Sequence, residues 1–109
     1  MGINKIVLLT HVGISKDLEM ASALSGVDVI VGGDSHTLLG DKSKLPPGWP
    51  VAGPYPYKSK MTTRDKDGKT VCIVQAWEYA HVLGHLRVSF DKNGDVTACS
   101  GTPVLPVAC

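Results

Sequence analysis

Three side chains that can bind a metal ion follow two short apolar stretches of the chain. His11 comes after the apolar run in "NKIVLLTH", and Asp34 and His36 come after the run in "VDVIVGGDSHT". Two imidazoles and a carboxylate form a ligand set that suits Zn²⁺, Mn²⁺ or Fe²⁺. A plainer interpretation stays open, because Asp34 or Ser35 could simply form a turn.

The segments that carry these residues predict a βαβ unit. "KIVLL" and "VDVIV" are short continuous apolar runs, typical of strands buried on both faces of a sheet. In "SKDLEMASALSG", which lies between them, Ser15 can cap a helix and Gly26 can end it. A strand, a helix and a second strand within about 30 residues predict that the two strands are parallel.

The predicted unit brings the three candidate metal ligands together. Parallel strands finish at the same edge of a sheet, and open α/β sheets bind ligands beyond the carboxyl ends of their strands. We therefore expect His11, Asp34 and His36 to converge on one edge. Gly32 and Gly33 are expected to let the backbone turn tightly there.

The second half of the chain predicts antiparallel hairpins. Five of the seven prolines lie in "LPPGWPVAGPYP", so residues 32–56 are expected to form a long loop. The dipeptides Asp67-Gly68 and Asn93-Gly94 are hairpin signals. Strands are expected near residues 57–64, 69–76, 84–91 and 95–99. The predicted fold class is α/β, with a βαβ unit followed by antiparallel β-hairpins in a single domain spanning residues 1–109.

Composition excludes several classes of protein. The 109 residues are 43% hydrophobic with a net charge of +1, which favours one globular domain and argues against a nucleic-acid partner. No apolar run approaches the roughly 20 residues of a membrane-spanning helix, so no membrane association is expected. The N-terminus lacks a signal-peptide cleavage site, and the compartment is left unknown.

The cysteines, and the histidines outside the candidate metal site, are expected to have structural roles. The three cysteines are an odd number without CxxC spacing, which predicts neither a disulfide framework nor a zinc ribbon. Cys72, inside "TVCIVQA", is expected to be a small buried hydrophobic residue. His81 and His85 in "HVLGH" have the spacing of a helical zinc motif, but no Glu follows the first of them. Both are expected to be structural or to lie at the surface.

The chain resembles the closing portion of a calcineurin-like metallophosphoesterase domain of the 5′-nucleotidase type. The likeness rests on "VLLTHVG…DLEMA…VDVIVGGDSHT", and "GPYPYKSKM", "VCIVQAWEYAHVLGHLRVSFDKNGDV" and "SGTPVL" extend it over nearly the whole chain. The two-metal site of that family ends with a lone histidine after a strand, followed by a Gly-His-x-His signature. By resemblance, His11 is the lone histidine, Asp34 stands at the first histidine of the signature, and His36 stands at the second.

The resemblance implies a fold, a cofactor and an activity. It implies part of the family's sandwich fold and a metal-dependent phosphoester hydrolase that acts on a phosphomonoester or a nucleotide. In the family these positions serve two neighbouring metals, for which Zn, Mn or Fe is expected here, and its members are often secreted or periplasmic. Asp34 departs from the signature, and neither the family's earlier motifs nor its separate nucleotide-binding domain is found in these residues. We therefore expect weak activity, or alternatively a non-catalytic fragment that binds metal or oligomerises.

The predicted sheet also has a consequence for assembly. One helix cannot cover both faces of a sheet whose strands are apolar on both sides. An exposed apolar face and an unpaired strand edge invite pairing with another copy of the chain. We therefore expect a homo-oligomer.

Overall fold

A computed structural model describes residues 2–57 and 64–106 of the chain. In this part there is one helix, α1 (Ile14–Ala23), and there are seven strands. The strands are β1 (Val7–Leu9), β2 (Val29–Gly32), β3 (Leu38–Leu39), β4 (Val51–Gly53), β5 (Cys72–Gln75), β6 (Leu83–Phe90) and β7 (Val96–Val104).

A parallel sheet forms the centre of the structure, with its strands in the order β1-β2-β5. Strands β1 and β2 are parallel, with Leu8 opposite Ile30, as the βαβ prediction requires. Strand β5 is also parallel to β2, so the expectation that the second half is entirely antiparallel is wrong at this strand. All four residues of β5 are buried. Burial without alternation is the pattern of a strand covered on both faces, as in parallel sheets, and not of a half-exposed hairpin strand.

Within the described residues, the first predicted hairpin is represented by two isolated bridges. Arg64 and Thr70 form an isolated antiparallel bridge around the Asp67-Gly68 turn. Tyr57 bridges Ile73 in the same sense. The strand expected at residues 57–64 otherwise falls on residues 58–63, which lie outside the described residues.

The second predicted hairpin is confirmed. Strands β6 and β7 are antiparallel and pair along eight residues of β6, from Leu83 opposite Val104 to Phe90 opposite Val96. Gly94 in the turn has a φ of 85°, a left-handed conformation that glycine adopts without strain. Outside these sheets, β3 and β4 form a short parallel pair.

Helix α1 begins in a different way from the sequence prediction. Its N-cap is Gly13, with a φ of 89° and no side-chain capping bond, so the expected cap at Ser15 is wrong. The first N–H of the helix, at Ile14, donates instead to Oγ of Ser35, 3.0 Å away in the loop after β2. The helix ends with Ala23, before the predicted stop at Gly26. Within the described residues, no helix has the length and apolarity needed to cross a membrane.

Two apolar clusters stabilise this arrangement. The first joins α1 to one face of the parallel sheet through Ala21, Ile30, Val71 and Ile73. The second lies under the proline-rich loop, where Leu38, Leu45 and Val82 are packed by partly buried groups that include Trp49 and Trp77.

A disulfide bond ties the hairpin to the parallel sheet. Cys72 of β5 is buried, as expected, and it is bonded to Cys99 of β7. The expectation of no disulfide is therefore wrong. The odd cysteine count carried no information about which two cysteines the fold brings together, and the two Cα atoms lie 6.2 Å apart, within the range of bonded pairs.

The side of the sheet away from the first apolar cluster leaves apolar groups exposed. Val7 is 58% exposed, Leu9 is 75% exposed and Val31 is 38% exposed. Next to them, an apolar cleft of about 430 Å³ runs between Val31 and Val74 of the sheet and Leu83 and Leu86 of the hairpin. The prediction that one helix leaves an apolar surface exposed is confirmed for these residues.

Candidate functional site

The ends of β1 and β2 bring His11 and Asp34 together. Nε2 of His11 lies 3.3 Å from Oδ1 of Asp34, and both side chains are exposed. The contact follows from the topology, because the two strands are parallel and stop at the same edge of the sheet.

His36 does not join this pair. Its Nδ1 lies 2.9 Å from Oε2 of Glu78, in the turn between β5 and β6. Within residues 2–57 and 64–106, no group of three or more His, Cys, Asp or Glu side chains is arranged to hold one metal ion. The structure thus divides the three predicted ligands into a His11–Asp34 pair and a His36–Glu78 pair.

The loop that carries Asp34 and His36 has a strained backbone. Asp34 has a φ of 74° and His36 a φ of 50°, which place both in the left-handed region without being glycine. Each such residue costs on the order of 1–3 kcal/mol, and residues of this kind cluster at functional sites. The turn is therefore made by the two candidate ligands themselves, and not by Gly32 and Gly33 as expected.

The two glycines serve close packing. A Cβ on Gly32 would overlap Oδ2 of Asp17, which comes from α1. A Cβ on Gly33 would lie 3.0 Å from Nδ1 of His11. Gly32 needs to be glycine because the buried Asp17 occupies the space of a Cβ, whereas at Gly33 the exposed His11 ring would have to shift only slightly.

Asp17, in helix α1, hydrogen-bonds to the end of strand β1 next to His11. Its side chain is fully buried, and its Oδ1 accepts a hydrogen bond of 2.6 Å from Oγ1 of Thr10, the residue before His11. Its Oδ2 has no hydrogen-bond partner among the described residues. Asp17 therefore fixes the end of β1, from which His11 projects.

Gln75, at the end of β5, holds the loop after β2 in place. The side chain is buried, and its Nε2 donates to the carbonyl of Gly33 and to Oγ of Ser35, at 3.3 and 3.2 Å. Its Oε1 accepts from the backbone N–H of Thr37. Oγ of Ser35 also lies 2.7 Å from Oγ1 of Thr37. One side chain thus satisfies several polar groups of the loop.

Sequence reasoning missed Gln75 and Glu78. The sequence did offer a sign of the role of Gln75, because it is a polar residue near the end of the apolar run "VCIVQA". The sequence offered no such sign for Glu78, since its role depends on a turn that brings it to His36. His81 and His85, which were predicted to be structural or to lie at the surface, are exposed.

The His11–Asp34 pair fits a divalent cation as two of its ligands. Two ligand atoms bound at about 2.0–2.2 Å to a tetrahedral ion lie about 3.3–3.5 Å apart. Nε2 of His11 and Oδ1 of Asp34 are 3.3 Å apart, and one imidazole with one carboxylate suits Zn²⁺, Mn²⁺ or Fe²⁺. The exposure of both groups leaves room for further ligands.

The chain is similar to segments of known 5′-nucleotidases. It is 48% identical over 102 residues to a probable 5′-nucleotidase from Treponema pallidum, covering 94% of this chain and 16% of that protein. It is 42% identical over 106 residues to the 5′-nucleotidase of Bos taurus, covering 96% of this chain and 17% of that protein. No protein-family model matches the chain.

Two solved structures share its fold. The 5′-nucleotidase precursor from Thermus thermophilus superposes with a TM-score of 0.84 at 48% identity, over 95% of this chain and 19% of that one. The NAD nucleotidase of Haemophilus influenzae superposes with a TM-score of 0.83 at 38% identity, over 95% of this chain and 18% of that one. The chain thus spans less than a quarter of the length of each of these relatives, and its homologues are 5′-nucleotidases.

Proposed function

We propose that the chain is a segment of a metal-dependent phosphoester hydrolase of the 5′-nucleotidase type, with a phosphomonoester or a nucleotide as substrate. The observation that carries this proposal is the His11–Asp34 pair, whose 3.3 Å separation suits two ligands of one cation. The similarity to 5′-nucleotidases, at 48% identity in one relative, supports the reaction type.

The residues have separate roles in this proposal. His11 and Asp34 hold one cation, and His36 offers its Nε2 to a neighbouring one. A divalent cation, when bound, stabilises the charge of a phosphoryl group and makes a water molecule a better nucleophile. The exposure of His11 and Asp34, at 78% and 57%, gives a phosphoester access to this edge.

Phosphatase assays with and without metal test the proposed activity. We expect turnover that is low, that needs Mn²⁺ or Zn²⁺, and that hardly distinguishes AMP from an aryl phosphate, because these 109 residues include nothing resembling the family's nucleotide-binding domain. Chelator-resistant turnover, or turnover that survives combined His11→Ala and Asp34→Ala substitution, contradicts the proposal.

A second candidate is a non-catalytic role through self-association. The exposed groups Val7, Leu9 and Val31 lie on one unpartnered sheet region, and β1 pairs only with β2 within the described residues. An unpaired strand edge can pair with the same edge of a second copy by a two-fold axis. We propose a homo-oligomer joined through this region.

The disulfide supports a proposal about the compartment. Disulfides persist in oxidising surroundings and are rare in reducing ones. The Cys72–Cys99 bond therefore favours a secreted or periplasmic location.

A further inference from the structure

The carboxylate of Glu78 faces the imidazole of His36. Its Oε2 lies 2.9 Å from Nδ1 of His36, within hydrogen-bond distance. An ionised carboxylate can only accept a hydrogen bond, so Nδ1 is the donor. A neutral ring with its proton on Nδ1 keeps its lone pair on Nε2. We propose that Glu78 is a positioning residue, which holds His36 in this tautomer and so presents Nε2 as a free ligand.

The backbone before Glu78 is anchored to the loop of His36. The N–H of Trp77 donates to the carbonyl of Thr37 at 3.1 Å, and Ala76 forms an antiparallel bridge with Leu38. The ring of Trp77 packs on Trp49 with 4.7 Å between centroids. The two loops are therefore joined by backbone bonds and by the second apolar cluster, independently of the Glu78–His36 contact.

The backbone after Glu78 is fixed as well. The carbonyl of Glu78 accepts from the N–H of His81 at 3.1 Å and lies 2.8 Å from Nδ1 of the same residue. Tyr79 places its ring against His36 in an edge-on contact, with 5.3 Å between centroids. His36 therefore has a carboxylate and an aromatic ring as neighbours, both from the same turn.

The turn that carries Glu78 has several residues in an unfavourable backbone conformation. Trp77, Tyr79 and Ala80 have φ values of 58°, 49° and 58°, and His36 has a φ of 50°. Left-handed conformations at residues other than glycine persist where the surrounding contacts determine them. Residues in left-handed conformations thus lie on both sides of Glu78 and include its partner His36. We take this as a sign that the surrounding structure maintains the Glu78–His36 contact.

The effect on metal binding rests on the proposed function. A carboxylate that accepts from the second ring nitrogen of a metal-binding histidine fixes the orientation of the ring and raises the basicity of the ligating nitrogen. Loss of such a partner lowers metal affinity by about 10- to 100-fold. The tautomer of His36, in contrast, can be measured without any metal.

The first measurement is the tautomer of His36 by long-range ¹H–¹⁵N correlation at pH 9, where histidine rings are neutral, in metal-free protein. We expect the Nδ1–H form in the wild type and in Glu78→Gln, whose amide oxygen can still accept. In Glu78→Ala we expect a shift toward the Nε2–H form. Glu19→Ala is the control, because Glu19 pairs with Lys16 on the surface of α1 and does not contact His36. An Nε2–H ring in the wild type overturns the inference even if Glu78→Ala fails to fold.

The second measurement is Zn²⁺ affinity by calorimetry. We expect Glu78→Ala to weaken the binding that depends on His36 by about 10- to 100-fold, with Glu78→Gln restoring part of it. Equal affinity in the wild type and Glu78→Ala, with the tautomer changed, removes the positioning role. No Zn²⁺ binding by the wild type counts against the proposed function, and the tautomer then decides the inference by itself.

Discussion

Gly32 and Gly33 each leave room for a neighbouring side chain where another residue would have its Cβ. At Gly32 this neighbour is Oδ2 of the fully buried Asp17, whereas at Gly33 it is the exposed ring of His11. A buried carboxylate on a helix cannot move away as an exposed imidazole can. The same substitution at the two positions should therefore have different consequences.

Gly32→Ala is expected to destabilise the fold by about 1–3 kcal/mol, as overpacking of a tight interior does. Gly33→Ala is the matched control and should change the free energy of unfolding much less, because His11 can turn away. Urea denaturation measures both. The double variant Gly32→Ala/Asp17→Ala should be more stable than the sum of its single changes predicts, by more than about 0.5 kcal/mol. Strict additivity of the two changes speaks against this packing.

At the scale of elements, the disulfide between β5 and β7 determines how firmly the hairpin is held on the sheet. Cys72 and Cys99 are separated by 27 positions, and closing a loop of this length in the unfolded chain is worth about 3.5 kcal/mol in the chain-entropy model. Cys99→Ser should lower the free energy of unfolding by about that amount, compared in a Cys109→Ser background. The Cys109→Ser variant by itself is the matched reference. Three reactive thiols in the denatured, unreduced wild type would contradict the bond.

The elements also show which features a sequence can predict. The apolar runs before His11 and Asp34 predicted β1 and β2, because burial on both faces leaves continuous apolar stretches. The Asn93-Gly94 signal predicted the second hairpin, since its geometry is local. A strand was predicted at residues 69–76, where β5 lies, but its parallel pairing with β2 was not. That pairing is a long-range choice, which the nearby Asp67-Gly68 signal concealed.

The positions of the candidate site residues were predictable in part, and for similar reasons. The topology alone brought His11 to Asp34. The turn of His36 toward Glu78 depends on left-handed backbone conformations at Asp34, His36 and Tyr79, which ordinary propensities disfavour. The Ser35 cap of α1 likewise joins two segments 21 positions apart, so no local pattern reveals it.

At the scale of the whole molecule, the exposed sheet region bears on assembly. Leu9 is 75% exposed beside Val7, while Leu24, at 40%, lies just past the end of α1. We expect light scattering after size exclusion to give a dimer or a larger closed assembly at tens of micromolar. Leu9→Lys should shift it toward the monomer, and the control Leu24→Lys should not. A monomeric wild type that binds no hydrophobic dye excludes self-association through this region.

Calorimetric titration of the purified chain with Mn²⁺ and Zn²⁺ tests most directly the proposal that His11 and Asp34 bind a metal ion. We predict micromolar or weaker binding, of which the part at this pair is lost in His11→Ala and in Asp34→Ala, because each removes one of two proposed ligands that lie 3.3 Å apart. His36→Ala should remove a separate part of the binding, and His85→Ala, at an exposed position in β6, should leave all of it. Equal binding by the wild type, His11→Ala and Asp34→Ala would contradict the assignment of these residues as the metal ligands.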